Sequence, residues 1–152
     1  MGRDCGYLAL VSALTSGAEL CLILEVEYDL ETYEKSFQEQ LHRGRGYFLA
    51  VISEGIKEKN EDIAKWFEEK IGIEARVTVL GHIQRGGNPT TRDRLMAYRF
   101  VHYGIYGLLE GKKDAIVCYN NGFYSHKPIQ EVANKRYQLD ATLVDLFFKD
   151  RT

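Results

Sequence analysis

Glu19-Leu20-Cys21-Leu22-Ile23-Leu24 is a short, nearly continuous apolar run, and its reading decides the fold. A strand with one wet face alternates apolar and polar side chains, whereas an unbroken run has the pattern of a strand buried on both faces. Outward from it, helix-like and strand-like segments alternate with hardly a pause. Gly6 to Ser16 is rich in Ala and Leu and reads as a helix stopped by Gly17. Asp29 can cap a second helix, whose Leu30, Tyr33, Phe37 and Leu41 keep one face before His42, Arg43 and Gly44 end it. Tyr47 to Ile52 reads as a second strand. Asn60 can cap a helix with Ile63, Trp66, Phe67 and Ile71 on one side and Gly72 at its end, and Arg76 to Leu80 follows as a third strand. Parallel strands need crossovers and helices supply them, so this alternation implies a parallel sheet between helices. The expected fold class is α/β, a three-layer αβα arrangement with a mainly parallel, Rossmann-like sheet.

After Pro89 the character changes. Thr90 and Asp93 have capping-box spacing, and Leu95 to Glu110 carries Ala97, Val101, Ile105 and Leu108 on one stripe before Gly111. Ala115 to Tyr119 reads as a short strand, Asn120 to Ser125 as a polar turn, Ile129 to Ala133 as a helical turn, and Ala141 to Lys149 as a terminal helix capped by Asp140.

Composition excludes several function classes. With 45% hydrophobic residues in 152, the chain can bury a real core. A formal net charge of -2 gives no global basic field, so neither a nucleic acid nor an anionic membrane has electrostatic support as a partner. Any anion site must be local. Cys5, Cys21 and Cys118 are odd in number and lack metal-type pairing, which suits free thiols in the cytoplasm. No apolar run reaches the length of a spanning helix, and the start lacks a signal-peptide core. The initial Met-Gly has Gly6 where a myristoylation signal wants Ser or Thr.

Ligands of parallel sheets bind beyond the carboxyl ends of strands, which points to Glu25, to Ser53 and Glu54, and to His82 through Arg85. In Thr78-Val-Leu-Gly-His-Ile-Gln-Arg-Gly-Gly-Asn-Pro89 an apolar strand runs into a glycine-rich loop holding His82 and Arg85. Arg85 offers a rigid fork of donors and His82 a titratable one, a pairing suited to a phosphate. On spacing alone, an ordinary strand-to-helix connection is the better reading, since glycine-rich loops are common. Met1-Gly2-Arg3 before a helix suits an anion or is a solvated terminus; Glu54 suits sugar hydroxyls or is a surface carboxylate; His42-Arg-Gly-Arg-Gly46 suits an anion or complements a helix C-terminus.

Taken together, Met1-Gly-Arg-Asp-Cys-Gly-Tyr-Leu-Ala-Leu10, Gly17-Ala-Glu19, Glu25-Val-Glu27, Val51-Ile-Ser-Glu54, Arg76 to Pro89 and Asp93-Arg94 resemble the C-terminal half of the bacterial, ATP-dependent 6-phosphofructokinases. The similarity spans essentially the whole chain. The resemblance implies a glycolytic phosphotransferase in which MgATP gives its γ-phosphoryl group to the 1-hydroxyl of fructose 6-phosphate. It implies that Met1, Gly2, Arg3 and Glu54 line the sugar, with Ile83 and Gln84 beside them, and that His82 and Arg85 grip the 6-phosphate. Arg76 matches a residue that reaches the neighbouring subunit's sugar phosphate, which implies a homo-oligomer, a tetramer in the family. An ADP-type allosteric effector would bind through Gly17, Ala18 and Glu19, with Glu19 near its magnesium ion, and through Arg43, Arg45, Gly46 and Tyr47. Family members have a third basic residue where this chain has Gly46.

The family's phosphate loops, magnesium-binding Asp and catalytic-base Asp do not occur in this sequence. No catalytic residue and no ATP or Mg2+ at the catalytic nucleotide site are therefore expected of this chain, which should be inactive alone. By resemblance, residues 1–88 form the sugar-phosphate lobe with the effector site, 89–136 belong to the nucleotide lobe, and 137–152 return to the first. The long helix should then leave its apolar stripe exposed, and should associate with another copy or dock differently. Two alternatives stay open: a non-catalytic sugar-phosphate-binding or assembly module, and half of a pyrophosphate-dependent enzyme.

Overall fold

The computed structural model describes residues 3–149. The chain divides into two compact units, one built from residues up to Gln84 together with those from Tyr137 onward, the other from Arg85–Arg136.

In the first unit the order is α1 (Tyr7–Ser16), β1 (Leu20–Leu22), α2 (Leu30–His42), β2 (Ala50–Ile52) and α3 (Asn60–Trp66), the last continued by a wider π turn over Phe67–Ile71. β1 and β2 pair in parallel, with Leu20 opposite Ala50 and Leu22 opposite Ile52. The apolar run behaves as its composition demands. Leu20 and Leu22 point into a cluster with Phe37 of α2 and Ile63, Phe67 and Ile71 of the third helical segment. Cys21 and Ile23 point the other way, into a cluster with Ala9, Leu10 and Ala13 of α1 and with Phe147. Alternate residues of one strand therefore feed two cores, one on each face of the sheet. That makes three layers, and the fold is α/β.

The helix ends follow local chemistry. Asp29 accepts from the Glu31 amide at 3.1 Å, and Gly17 and Gly72 close their helices in the left-handed region. Asn60 is the first helical residue of α3 rather than its cap, a place taken by Lys59. The expected third strand is absent: no strand pairing among the described residues includes 76–80. A β pattern becomes a strand only when a neighbour supplies the ladder, and Val77, Val79 and Leu80 are left exposed.

The second unit holds α4 (Thr91–Leu109), β3 (Ala115–Asn120), β4 (Phe123–Pro128) and α5 (Ile129–Ala133). Thr90 and Asp93 form the capping box, with bonds of 3.2 Å and 2.8 Å. The polar turn expected over Asn120 to Ser125 is instead the centre of an antiparallel hairpin, with Asn120 opposite Phe123. Asn121 and Gly122 have φ of 50° and 90°, the two positive values that an Asn-Gly hairpin turn requires. Tyr124 stacks on Tyr103 of α4 at 4.9 Å and meets Phe100 edge-on at 5.2 Å. The chain closes with α6 (Ala141–Phe148) in the first unit, capped by Asp140.

Candidate functional site

β1 and β2 run the same way, so their carboxyl ends, Ile23 to Glu25 and Ser53 to Gly55, emerge on one edge of the sheet. Glu25 accepts twice from the Gly6 amide, at 2.8 Å and 3.1 Å. That clasp fixes the segment entering α1 on the same edge. Gly55 is what lets the segment approach: a Cβ there would lie 2.3 Å from the carbonyl oxygen of Arg3. Arg3 then donates from Nη2 and Nε to Glu54 Oε1 at 2.7 Å and 3.2 Å, across 51 positions of sequence. This hydrogen bond and the opposed charges hold the Glu54 carboxyl below the usual carboxylate range and push the Arg3 guanidinium up. Both side chains remain open to solvent. The edge presents fixed donors and acceptors, an arrangement that suits neutral hydroxyls better than a bare anion. Met1 and Gly2, expected beside them, lie outside the described residues.

His82, Ile83, Gln84 and Arg85 lie in one 3-10 turn, Gly81–Arg85, all exposed. In that geometry residues three apart eclipse, which puts His82 and Arg85 on the same side of the turn. Arg76 stands on the preceding extended segment and donates to Glu74 at 3.2 Å.

A second cluster lies at the amino end of the sheet. Glu19, just before β1, is nine-tenths buried as a side chain and accepts from the Leu49 amide at 2.7 Å and from Arg45. Arg45 also donates to Gln40 Oε1 and to the Tyr47 carbonyl, each at 3.2 Å, and its guanidinium lies 5.7 Å from the Phe48 ring centre. Sequence reasoning missed Gln40, and the signal was its place one helical turn before Arg43. An open groove beside this cluster is lined by Ser36, Glu39, Gln40, Arg43, Gly44, Arg45, Gly46 and Tyr47. Gly17 and the buried Ala18 lead into Glu19. No group of three or more His, Cys, Asp or Glu side chains among the described residues could hold a metal ion. Both Glu19 oxygens are already engaged, one by a guanidinium, so these residues do not by themselves fit magnesium.

Residues 1–108 match the family model for phosphofructokinase. The chain belongs to the phosphofructokinase family. It is 56% identical over 149 residues to the ATP-dependent 6-phosphofructokinase of Sulfurimonas denitrificans, covering 98% of this chain and 47% of that one. Against the ATP-dependent 6-phosphofructokinase of Sulfurovum sp. it is 58% identical over 146 residues, covering 96% and 44%. The chain thus spans about half the length of these curated relatives. Among solved structures, the phosphofructokinase of Saccharomyces cerevisiae matches 96% of this chain with a TM-score of 0.75 at 23% identity, covering 24% of that chain. Pichia pastoris phosphofructokinase in the T-state matches 98% with a TM-score of 0.69 at 24% identity, covering 18% of that chain. These two likenesses establish a phosphofructokinase fold, and no helix among the described residues is long and apolar enough to cross a membrane.

Proposed function

We propose that this chain is the fructose 6-phosphate-binding half of an ATP-dependent 6-phosphofructokinase, with part of an effector site. The observation that carries the reading is the Arg3–Glu54 pair at the carboxyl edge of the sheet, where two side chains 51 positions apart meet. On this reading Glu54 accepts from sugar hydroxyls while Arg3 donates to the sugar, with Met1, Gly2, Ile83 and Gln84 beside it. His82 and Arg85 hold the 6-phosphate through charge-assisted bonds. Arg76 reaches the sugar phosphate of another subunit in a homo-oligomer. The groove at Arg43 and Arg45 takes the phosphates of a nucleoside diphosphate effector. The relatives named above are ATP-dependent, which supports ATP over pyrophosphate as donor.

Bound MgATP supplies the transferable phosphoryl group and neutralises the charge that develops on it. On this reading the residues named above bind and orient the acceptor, and the base for its hydroxyl belongs to the part of the family that this chain does not match. Alone, the chain therefore binds sugar phosphate and transfers nothing.

Calorimetric titration with fructose 6-phosphate tests the reading. The chain should give heats that an Arg85→Ala variant loses, and Gly55→Ala, which pushes the Arg3 backbone off the edge, should weaken binding by about tenfold. Equal heats from the chain and the Arg85→Ala variant overturn the assignment.

A further inference from the structure

We propose that Tyr28 and Glu58 form a tether that positions Glu54 for the hydroxyls of the sugar. The proposal rests on the sugar-phosphate reading and adds two positioning residues to it. Glu54 stands in the segment 53–59 that joins β2 to α3 at the carboxyl edge of the sheet. The near end of that segment is fixed by the sheet. The Ser53 amide donates to the Leu22 carbonyl at 2.9 Å, and the buried Ser53 accepts from the Gly55 amide on its hydroxyl at 3.3 Å. At the far end a side chain takes over: the Tyr28 hydroxyl donates to Glu58 Oε2, across 30 positions of sequence.

Tyr28 can serve as an anchor because its two ends have different surroundings. Its ring packs against the core that holds Leu20, Leu22, Phe37 and Ile63, and the next residue, Asp29, caps α2. Its hydroxyl reaches a carboxylate that is exposed. Burial, and then the bond to Glu58, push the phenol above its ordinary range, while the bond from Tyr28 holds the Glu58 carboxyl down. Donor and charged acceptor therefore persist together through neutral pH. By its sequence Glu58 is an ordinary surface carboxylate between Lys57 and Lys59, and its partner is what distinguishes it. Glu54 is thus constrained from three directions: Arg3 holds its carboxylate, the sheet holds one end of its segment, and Tyr28 holds the other. A binding group already in place loses less freedom when ligand arrives than one on a loose segment, and the difference appears in affinity. His82 and Arg85 stand on a separate turn, so the tether should act on the hydroxyl end of the sugar and leave the phosphate end alone.

Tyr28→Phe removes the hydroxyl and keeps the ring in the core. In calorimetric titration with fructose 6-phosphate, Tyr28→Phe and Glu58→Ala should each weaken binding by about three- to tenfold. The double variant should be no weaker than either single one, because both remove the same tether. Inorganic phosphate, followed by NMR, should bind the parent and Tyr28→Phe equally, a result that general loosening of the fold would not give. Should Tyr28→Phe disturb the core, Glu58→Ala, at an exposed position, supplies the same comparison. Unchanged fructose 6-phosphate affinity, additive losses in the double variant, or an equal loss of affinity for inorganic phosphate each overturn the proposal. The Arg85→Ala titration separates this failure from that of the site. If Arg85→Ala abolishes the heat and Tyr28→Phe leaves it intact, the tether falls and the fructose 6-phosphate reading stands. If Arg85→Ala leaves the heat unchanged, the site falls and the tether with it.

Discussion

Gly6→Ala should unfold the first unit more readily than its one added methyl suggests. The ideal Cβ at Gly6 lies 2.5 Å from Ile23 Cβ, 2.6 Å from Ile23 Cγ2 and 2.6 Å from Glu25 Oε2. Carbon atoms pack best at about 3.5–4.0 Å, so the overlap is on the order of 1 Å in two directions at once. Ile23 cannot yield, because it is 1% exposed and belongs to the core that joins the sheet to α1. The Glu25 carboxylate cannot leave freely either, since it accepts the Gly6 amide. The segment before α1 must move instead, and overpacking of this kind costs about 1–3 kcal/mol. For a cooperative unit of roughly 100 residues, each 1 kcal/mol lowers Tm by about 4–8 °C, which makes the expected drop about 10 °C. Differential scanning calorimetry measures it, with urea titration as a check on the free energy. A Tm within about 1 °C of the parent would refute the claim that this contact is rigid.

Other changes probe different contacts. Glu19→Gln keeps an acceptor for the Leu49 amide but removes the charge facing Arg45 in a largely buried position. It should cost about 1–3 kcal/mol in urea titration with an unchanged m-value, and an unchanged midpoint would count against a structural role for the pair. The Cys21 thiol is pushed up to about 12 by burial and then by the neighbouring Glu25 carboxylate, from an ordinary 9.0. Its folded pKa is raised, so the stabilisation is complete below pH 9 and is lost as pH rises towards 12. Cys21→Ala should flatten that alkaline loss even while lowering overall stability, and an identical slope in both proteins would contradict the assignment.

The sequence made the first unit legible because each of its signals is local or is satisfied within the chain. Asp29 caps the helix it was expected to cap, and the alternate residues of Leu20 to Ile23 feed opposite cores. Arg76 to Leu80 reads as a strand but is not one, because its pattern describes side chains whereas a ladder depends on a neighbour. The hairpin strand Phe123–Pro128 was hidden for the opposite reason: its first residues read as part of a polar turn over Asn120 to Ser125, although Asn121-Gly122 announces a tighter one. At the candidate site, residue identities were legible and their partners were not. Nothing in the spacing says that Arg3 closes on Glu54 or Arg45 on Glu19, since side chains 51 and 26 positions apart meet only through the fold.

Those partners bear on what each cation can do on the proposed reading. A guanidinium beside a carboxylate is a poor phosphate ligand, because at similar distance the carboxylate repels the phosphate about as strongly as the guanidinium attracts it. Arg3 is held by Glu54 and Arg45 by Glu19, and Arg76 has a solvent-exposed contact with Glu74 that a phosphate can displace, whereas the side chains of His82 and Arg85 have no hydrogen-bonded or ion-paired partner among the described residues. On that reading the 6-phosphate goes to the 3-10 turn, where the Arg85 guanidinium has no carboxylate beside it among the described residues. The neutral hydroxyls belong with the Arg3–Glu54 edge, which offers a donor and an acceptor at no net charge. The same rule sets the effector groove. Among the described residues the one acid paired with Arg43 is Glu39, at 3.9 Å, while Arg45 is committed to Glu19, and Gly46 adds no third charge. A diphosphate entering that groove has to compete with Glu19 for Arg45, so binding there would loosen the clasp between the start of β1 and the chain leading into β2.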